Sequence, residues 1–284
     1  MFRHEEPEAD NQLSVQPHQV FMQSFKNVLF VPHGSPTFAL NPGAAGAAMS
    51  GITQKLTTPR AIIVVSPHWD TRIPTVSVAT QLETIHDFFG FPQELYELQY
   101  PATGCPEVAN EVVIALQAAG FEVAQDKEHG LDHGAWQPLR HMFPDADVPI
   151  VPLSMQMHEG PAHAYRIGQA LSALTDKNIW VIASGNITHN LTDWHVAAST
   201  GGKTPAYVKG FADWVEEKLK DHDVQALIDY RNHSAEGRQA HPSEDHLLPL
   251  LVALGAAGNE AQAQAFYRGV SDYVISMDGY AFLH

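Results

Sequence analysis

The runs "AIIVVS" (61–66) and "IWVIAS" (179–184) are apolar at nearly every position, and they constrain the fold more than any other feature of the sequence. Successive side chains of a strand point to opposite faces of a sheet, so a strand without alternation is buried on both faces. Such strands occur in sheets that helices cover on both sides. The runs therefore predict an α/β protein with a mixed, largely parallel central sheet covered by helices on both faces.

The segments around these runs continue the same pattern. Strands are predicted at 28–31, 61–66, 75–79, 148–153 and 179–183, and helices at 44–55, 106–119, 161–174 and 205–220. The alternating tail "QAFYRGVSDYVISMDGYAF" (264–282) predicts a late hairpin added to the sheet. Residues 26–284 are predicted to form a single catalytic α/β domain, and the polar residues 1–25 a flexible extension in front of it.

The charge balance narrows the class of partner. The 284 residues include 32 acidic and 16 basic side chains, which gives a formal net charge of −16. This field repels nucleic acid and anionic membranes, so neither is expected as a partner. The single cysteine, Cys105, excludes a disulfide within one chain and an all-thiolate zinc site. We find no secretory apolar stretch at the start and no run of about 18 apolar residues, so a cytoplasmic protein is expected.

Histidine is the unusual residue, because its 17 copies outnumber the 16 lysines and arginines together. Three predicted strands lead into small-residue turns that contain an imidazole: His33 in "FVPHGSP", His68 in "VVSPHWD" and His189 in "IASGNITHNL". The carboxyl ends of parallel strands meet at one edge of a sheet, where ligands bind in open α/β folds. The three histidines are therefore predicted to converge on a shared site.

Two further histidine clusters lie outside the strand ends. His133 stands at a loop-to-helix junction, and His241, Glu244, Asp245 and His246 precede an apolar helix. Imidazoles, alone or with a carboxylate, suit divalent iron, zinc, copper or nickel, and three protein ligands leave positions open for substrate. A fourth histidine would serve as acid or base. The spacing does not decide whether His246 or His241 is the third ligand. Glu244 or Asp245 could instead supply a carboxylate.

A structural role competes with the functional one at each position. A lone histidine after a strand more often packs or caps than binds a ligand, but His33 and His68 share matching contexts that favour ligation. His189 could instead hydrogen-bond the backbone. For His133 the residues favour a structural role and a role in the site equally. The remaining histidines are interpreted as surface or core residues. "HGSP" is not a nucleophile-elbow pattern, and neither a Walker A nor a dinucleotide-binding fingerprint is present.

Six motifs in a fixed order resemble one family. They are "PHGSP", "SPHW", "TIHDFFGFP", "LDHGAW", "SGNITHNL" and "HPSEDHLLPLLVALGAAG". Together they resemble the DOPA-dioxygenase-type branch of the class III extradiol ring-cleavage dioxygenases, over residues 27–277. Any one motif is weak, whereas six in order are specific.

The resemblance implies a mononuclear metal, Fe(II) as the working ion, on an α/β fold that cleaves a catechol with O₂. His33, His68 and His246 would be the metal ligands, which favours His246 over His241. His189 would be the acid/base beside the metal, close enough to become a fourth ligand when substrate is absent. His133 would line the substrate pocket. The wider class uses a glutamate as third ligand; a histidine there makes the site more zinc-like, so the purified protein could hold Zn(II).

Two alternatives use the same histidines. A zinc hydrolase would act through a metal-bound hydroxide. A non-catalytic module would bind a metal or a tetrapyrrole in a closed or very open site. Aromatic residues next to the motif histidines favour a flat ring substrate instead. These are Trp69, Phe88, Phe89 and Trp136.

Overall fold

The computed structural model describes residues 25–284. Residues 1–24, which make up nearly all of the predicted flexible extension, lie outside the described residues, and Phe25 begins the first strand. The strands are β1 (Phe25–Pro32), β2 (Ala61–Asp70), β3 (Thr75–Ser77), β4 (Ala124–Asp126), β5 (Ile150–Met155), β6 (Ile179–Gly185), β7 (Gln262–Tyr267), β8 (Val270–Ser271), β9 (Ile275–Ser276) and β10 (Gly279–Leu283). Eight strands form one sheet in the order β4-β3-β5-β2-β6-β1-β10-β7, and β8 pairs with β9.

The centre of the sheet is parallel. Strands β5, β2, β6 and β1 pair in parallel in that order. Ile62 and Ile63 in β2, and Val181 and Ile182 in β6, are all fully buried. Because neighbouring side chains on a strand face opposite ways, both faces of the sheet are covered. The prediction of a mixed, largely parallel sheet covered on both faces is confirmed.

The antiparallel pairs lie outside this centre. On one side, β3 pairs antiparallel with β5. On the other, β10 runs antiparallel to β1, and β7 runs antiparallel to β10. The tail of the chain thus adds a pair of strands to the sheet, as its alternating pattern predicts, with the short β8–β9 ribbon between them.

The helices cover the sheet and supply several site residues at their N-termini. They are α1 (Gly43–Thr53), α2 (Gln93–Tyr96), α3 (Pro106–Ala118), α4 (His133–Met142), α5 (Gly160–Thr175), α6 (Leu191–Ser199), α7 (Ala206–Lys220), α8 (Val224–Ile228), α9 (Tyr230–His233), α10 (Gly237–Ala240) and α11 (Leu248–Ala257). The four helices predicted from the sequence correspond to α1, α3, α5 and α7, with ends that differ by at most two residues. Among residues 25–284 we find no helix that is both long and apolar enough to cross a membrane.

Helix α11 is the most deeply buried of these elements, since all ten of its residues are inaccessible or nearly so. It packs against α5 at a pair of glycines. A Cβ on Gly168 would lie 2.1 Å from the Val252 carbonyl oxygen, and one on Gly255 would lie 2.1 Å from that of Tyr165. The two backbones approach too closely for any larger residue at either glycine. This contact fixes α11 against α5, and α11 also packs against β6.

Candidate metal centre

The site lies at the carboxyl ends of the parallel strands. His33 directly follows β1, and His189 follows β6 by four residues. His68 lies inside β2 rather than just after it, because the strand continues to Asp70 across an irregular register. Pro67 precedes His68 and has no N–H for the ladder, which accounts for the irregularity. The structure brings these strand-end histidines together, as the sequence predicts.

Three of the imidazoles form a nearly equilateral triangle. The ring centroids of His33 and His68 are 5.2 Å apart, and His246 lies 5.1 Å from the first and 5.2 Å from the second. The Nε2 atoms of His33 and His68 face each other at 3.3 Å. Nitrogen ligands at about 2.1 Å from one tetrahedral or octahedral ion are about 3.0–3.4 Å apart, so this spacing fits a shared ion.

Two further histidines flank the triangle. The ring of His133 lies 4.0 Å from that of His68 and 5.6 Å from that of His33. His189 stacks on His246 with ring centroids 3.5 Å apart and planes 8° apart. Ligand atoms within 4.8 Å of one another form two separate candidate sets, His33–His68–His133 and His189–Asp245–His246, and the ring of His246 lies 5.1–5.2 Å from those of His33 and His68. The five imidazoles thus share one pocket.

Hydrogen bonds on the far side of the rings orient three of them. Asp87 Oδ2 accepts from His133 Nδ1 at 2.9 Å, and Asp87 Oδ1 accepts from the His133 backbone N–H at 2.8 Å. Asp245 Oδ2 lies 2.6 Å from His246 Nδ1. Ser184 Oγ lies 2.9 Å from His33 Nδ1. A partner on Nδ1 leaves Nε2 as the atom that faces the pocket, which is the usual arrangement around metal-binding histidines.

Burial keeps the rings of His33, His68 and His189 uncharged at neutral pH. Desolvation, followed by the neighbouring imidazoles, holds the pKa of His33 well below 6.5. The same causes lower the pKa of His68 to about 2, and burial with His246 lowers that of His189 to about 2. Burial raises the pKa of Asp87, but its hydrogen bonds with His133 outweigh that effect and lower the pKa overall. Neutral imidazoles with free lone pairs are the form that binds a metal.

The sequence left His241 and His246 open as third ligand, and the structure places only His246 in this pocket. His241 is fully buried elsewhere, and its Nε2 donates to the Ile187 carbonyl oxygen at 2.7 Å. Its ring lies 5.6 Å from that of Phe211 and 6.0 Å from that of Tyr230. Burial lowers the pKa of His241 to about 4, so the ring is a neutral part of the core.

The aromatic residues named from the sequence have different surroundings. Phe88 is buried with its ring 5.7 Å from that of His133, so it borders the pocket. Trp136 is a core residue whose Nε1 donates to the Ile85 carbonyl oxygen. Phe89 is 91% exposed. Trp69 stacks on a neighbouring histidine at 3.7 Å, outside the triangle.

Sequence reasoning missed the residues that hold the rings. Asp87 lies within the quoted motif "TIHDFFGFP", directly after His86, and its place in that motif was the available signal. Ser184 lies in "IWVIAS" and had no signal beyond its position at a strand end. Asn186 was also missed: its Oδ1 accepts from the Gly34 N–H at 3.1 Å, and its Nδ2 lies 3.4 Å from His33 Nε2.

Buried neutral imidazoles at the carboxyl edge of a largely parallel α/β sheet define a metal-dependent enzyme site. The chain belongs to the family described as the catalytic LigB subunit of aromatic ring-opening dioxygenase, which matches residues 30–282. It is accordingly a class III extradiol dioxygenase, an enzyme that opens aromatic rings. This membership favours ring cleavage over the hydrolase and the non-catalytic binding module.

The similar proteins agree with this class. The chain is 40% identical over 255 residues to a 4,5-DOPA dioxygenase extradiol of Escherichia coli (strain K12), covering 88% of this chain and 92% of that protein. It is 36% identical over 263 residues to a protein of the same name from Beta vulgaris, covering 91% and 97%. The crystal structure of uncharacterized protein JW3007 from Escherichia coli K12 has a TM-score of 0.73 at 32% identity, covering 89% of this chain and 98% of that one.

Proposed function

We propose that this enzyme cleaves a catechol of the DOPA type with O₂, beside its two hydroxyls, using Fe(II) held by His33, His68 and His246. The observation that carries the proposal is the triangle of three imidazoles with centroids 5.1–5.2 Å apart. The substrate class is supported by the relatives from Beta vulgaris and Escherichia coli, which are named as 4,5-DOPA dioxygenases. Residues 26–284 act as one catalytic unit in this proposal, since its histidines come from both ends of that range.

His246 is the third ligand in preference to His133 for two reasons. Its ring is equally distant from those of His33 and His68, whereas that of His133 lies much nearer to His68. His133 is also held by its backbone and its ring to Asp87, at the side of the pocket that Phe88 borders. In that place its Nε2 is available to accept a hydrogen bond from a substrate hydroxyl.

His189 is the acid/base of the proposal. Burial chiefly lowers its pKa to about 2, so the imidazole is neutral at neutral pH, and its unprotonated nitrogen can accept a hydrogen bond from a catechol hydroxyl, the contact along which the proton would move. Its parallel stack on His246 holds the ring beside the triangle. The His189 backbone N–H donates to the Ala240 carbonyl oxygen at 3.0 Å, which ties this ring to the segment that leads to His246.

When bound, Fe(II) supplies the redox chemistry and the positive charge that favours an ionised catechol. The chain's own residues bind and orient the substrate and move its protons. His133 and Phe88 position the ring, and His189 takes a proton at its free imidazole nitrogen and later returns it. Zn(II) fits the same imidazoles but has no accessible second oxidation state. We therefore expect a zinc-loaded protein to be inactive in ring cleavage.

The test is anaerobic reconstitution with Fe(II), followed by O₂ uptake and visible absorbance of the ring-opened product with DOPA and a panel of other catechols. Turnover that depends on Fe(II) and on a catechol supports the proposal. Absence of O₂ uptake with every catechol, together with hydrolysis of an ester by the zinc-loaded protein, would contradict the proposal and favour a zinc-dependent hydrolase.

Variants separate the roles of the histidines. His246→Ala should lose bound metal, as measured by elemental analysis after gel filtration. His189→Ala and His133→Ala should retain the metal and lose turnover by about 10²–10⁴-fold, the usual contribution of a proton-transfer group. His158→Gln serves as a control on the surface, because its side chain is 51% exposed, and should change neither readout. Metal loss in His133→Ala with retention in His246→Ala would reverse the ligand assignment.

A further inference from the structure

Helix α4 contains a proline in its interior, at Pro138. Proline has no N–H, so the carbonyl of the residue four positions earlier, Gly134, loses its helical hydrogen-bond donor. A side chain from another element fills this gap. The hydroxyl of Ser184, at the end of β6, donates to the Gly134 carbonyl oxygen at 2.5 Å. A backbone acceptor of the helix is therefore hydrogen-bonded to a serine that lies 50 residues away in sequence.

This contact determines the direction of a second hydrogen bond. A hydroxyl has one proton, and Ser184 uses it toward a carbonyl that can only accept. The remaining contact of its Oγ, with His33 Nδ1 at 2.9 Å, must then be donated by the imidazole. The proton of neutral His33 is thereby placed on Nδ1, and the lone pair of Nε2 points into the pocket.

A third contact agrees with this arrangement from the opposite side of the ring. The Asn186 amide is oriented by the Gly34 N–H, which donates to its Oδ1 at 3.1 Å. That orientation turns the Asn186 Nδ2 donor toward His33 Nε2 at 3.4 Å. An N–H donor facing Nε2 requires an unprotonated nitrogen there. Ser184, Asn186 and His33 are all fully buried, so bulk water does not compete for these contacts.

His33 needs this arrangement because its partner is ambiguous. His133 and His246 donate to carboxylates, which only accept when ionised, so Asp87 and Asp245 each select the Nδ1–H form on their own. A serine hydroxyl can donate or accept. Ser184 accepts from His33 only because its own proton is donated to another acceptor, the Gly134 carbonyl oxygen.

We propose that Pro138 and Ser184 are positioning residues that lock His33 in its Nδ1-protonated tautomer, so that Nε2 carries the lone pair that binds the metal. The proposal rests on the assignment of His33 as a ligand in the proposed function. It explains why a helix next to the site carries an interior proline, a residue that typically destabilises a helix.

The first measurement reads the tautomer without any metal. Histidine labelled with ¹⁵N in the metal-free protein at pH 7.5 gives separate Nδ1 and Nε2 signals in long-range ¹H–¹⁵N spectra. We expect His33 to show a protonated Nδ1 and an unprotonated Nε2. In Ser184→Ala and Pro138→Ala we expect the Nε2-protonated form to appear. A protonated Nε2 in the unaltered protein would overturn the proposal.

The second measurement is Zn(II) affinity by chelator competition. Ser184→Ala should weaken binding about 10–100-fold, the usual effect of losing a partner behind a metal ligand, and Ser184→Thr should restore it. Pro138→Ala is the sharper variant. Its new N–H competes for the Gly134 carbonyl and weakens that oxygen as an acceptor for the Ser184 proton, so Ser184 can donate to His33 instead. Zn(II) binding should then weaken several-fold while the melting temperature is unchanged or higher.

A merely structural role for Pro138 predicts the opposite, an unchanged or improved affinity, and that result would refute the proposal. Pro161→Ala, at the start of α5, and Ser276→Ala, a buried serine of β9, are the matched controls and should bind Zn(II) like the unaltered protein. The two proposals fail separately. If ring cleavage is absent but the variants shift the His33 tautomer, only the proposed function fails. If ring cleavage is normal but the variants leave the tautomer unchanged, only the proposal about Pro138 and Ser184 fails.

Discussion

Acidification of the metal-free protein should destabilise it strongly, and four buried histidines, three of them in the site, are the main reason. Burial keeps His33, His68, His189 and His241 neutral in the folded state, with pKa values below the 6.5 of an unfolded histidine. The unfolded chain therefore binds more protons than the folded one below pH 6.5. Linkage then requires the free energy of unfolding to fall as the pH falls through that value.

The magnitude follows from the pKa differences. A histidine that titrates at 6.5 when unfolded and stays neutral when folded loses about 1.4 kcal/mol of stability between pH 7.5 and 5.5. Four such residues lose about 5.5 kcal/mol. Asp132 acts in the opposite direction, because burial raises its pKa to about 6 and the folded protein takes up its proton first. It restores about 0.8 kcal/mol, which leaves a net loss of about 5 kcal/mol.

The assay is urea unfolding of the protein in chelator at pH 7.5 and 5.5, followed by tryptophan fluorescence. A loss of about 5 kcal/mol approaches the whole stability of many domains, so the metal-free protein should be unfolded or close to it at the lower pH. His189→Asn should reduce the acid-induced loss by about 1.4 kcal/mol. His158→Gln is the matched control, because its side chain is 51% exposed, and it should leave the loss unaltered.

A loss smaller than about 1.5 kcal/mol would refute the reasoning, since with the opposing contribution of Asp132 it corresponds to fewer than two buried neutral histidines. An undiminished loss in His189→Asn would likewise exclude that ring as a contributor.

Three further perturbations test the supports of the site and the fold. Asp87→Asn should lower turnover about 10–100-fold by removing the anionic acceptor of His133, while metal content by elemental analysis stays normal; normal turnover would show that the ring is oriented without Asp87. Gly134→Ala would place a Cβ 2.4 Å from Ser66 Oγ, so it should cost about 1–3 kcal/mol in urea unfolding, and an unchanged midpoint would contradict the close approach. Leu251→Ala, at a fully buried position of α11, should cost about 2–5 kcal/mol in the same assay.

The sequence by itself determined the sheet and predicted that His33, His68 and His189 meet at its edge. Apolar runs such as 61–66 and 179–184 are local patterns, and burial on both faces follows from them without knowledge of any neighbour. The strand-end positions of His33, His68 and His189 then follow from the same strands. The preference for His246 over His241 did not come from spacing, because both precede the same helix; it came from a resemblance between motifs.

Tertiary structure decided everything that depends on a partner distant in the chain. Asp87 holds His133 across 46 residues, and Ser184 meets His33 across 151, so no window of sequence contains either pair. The direction of the His33–Ser184 hydrogen bond depends on a carbonyl freed by Pro138, in a third element. Such contacts are selected by packing, because one proton and one lone pair must be matched in a buried space that water does not reach.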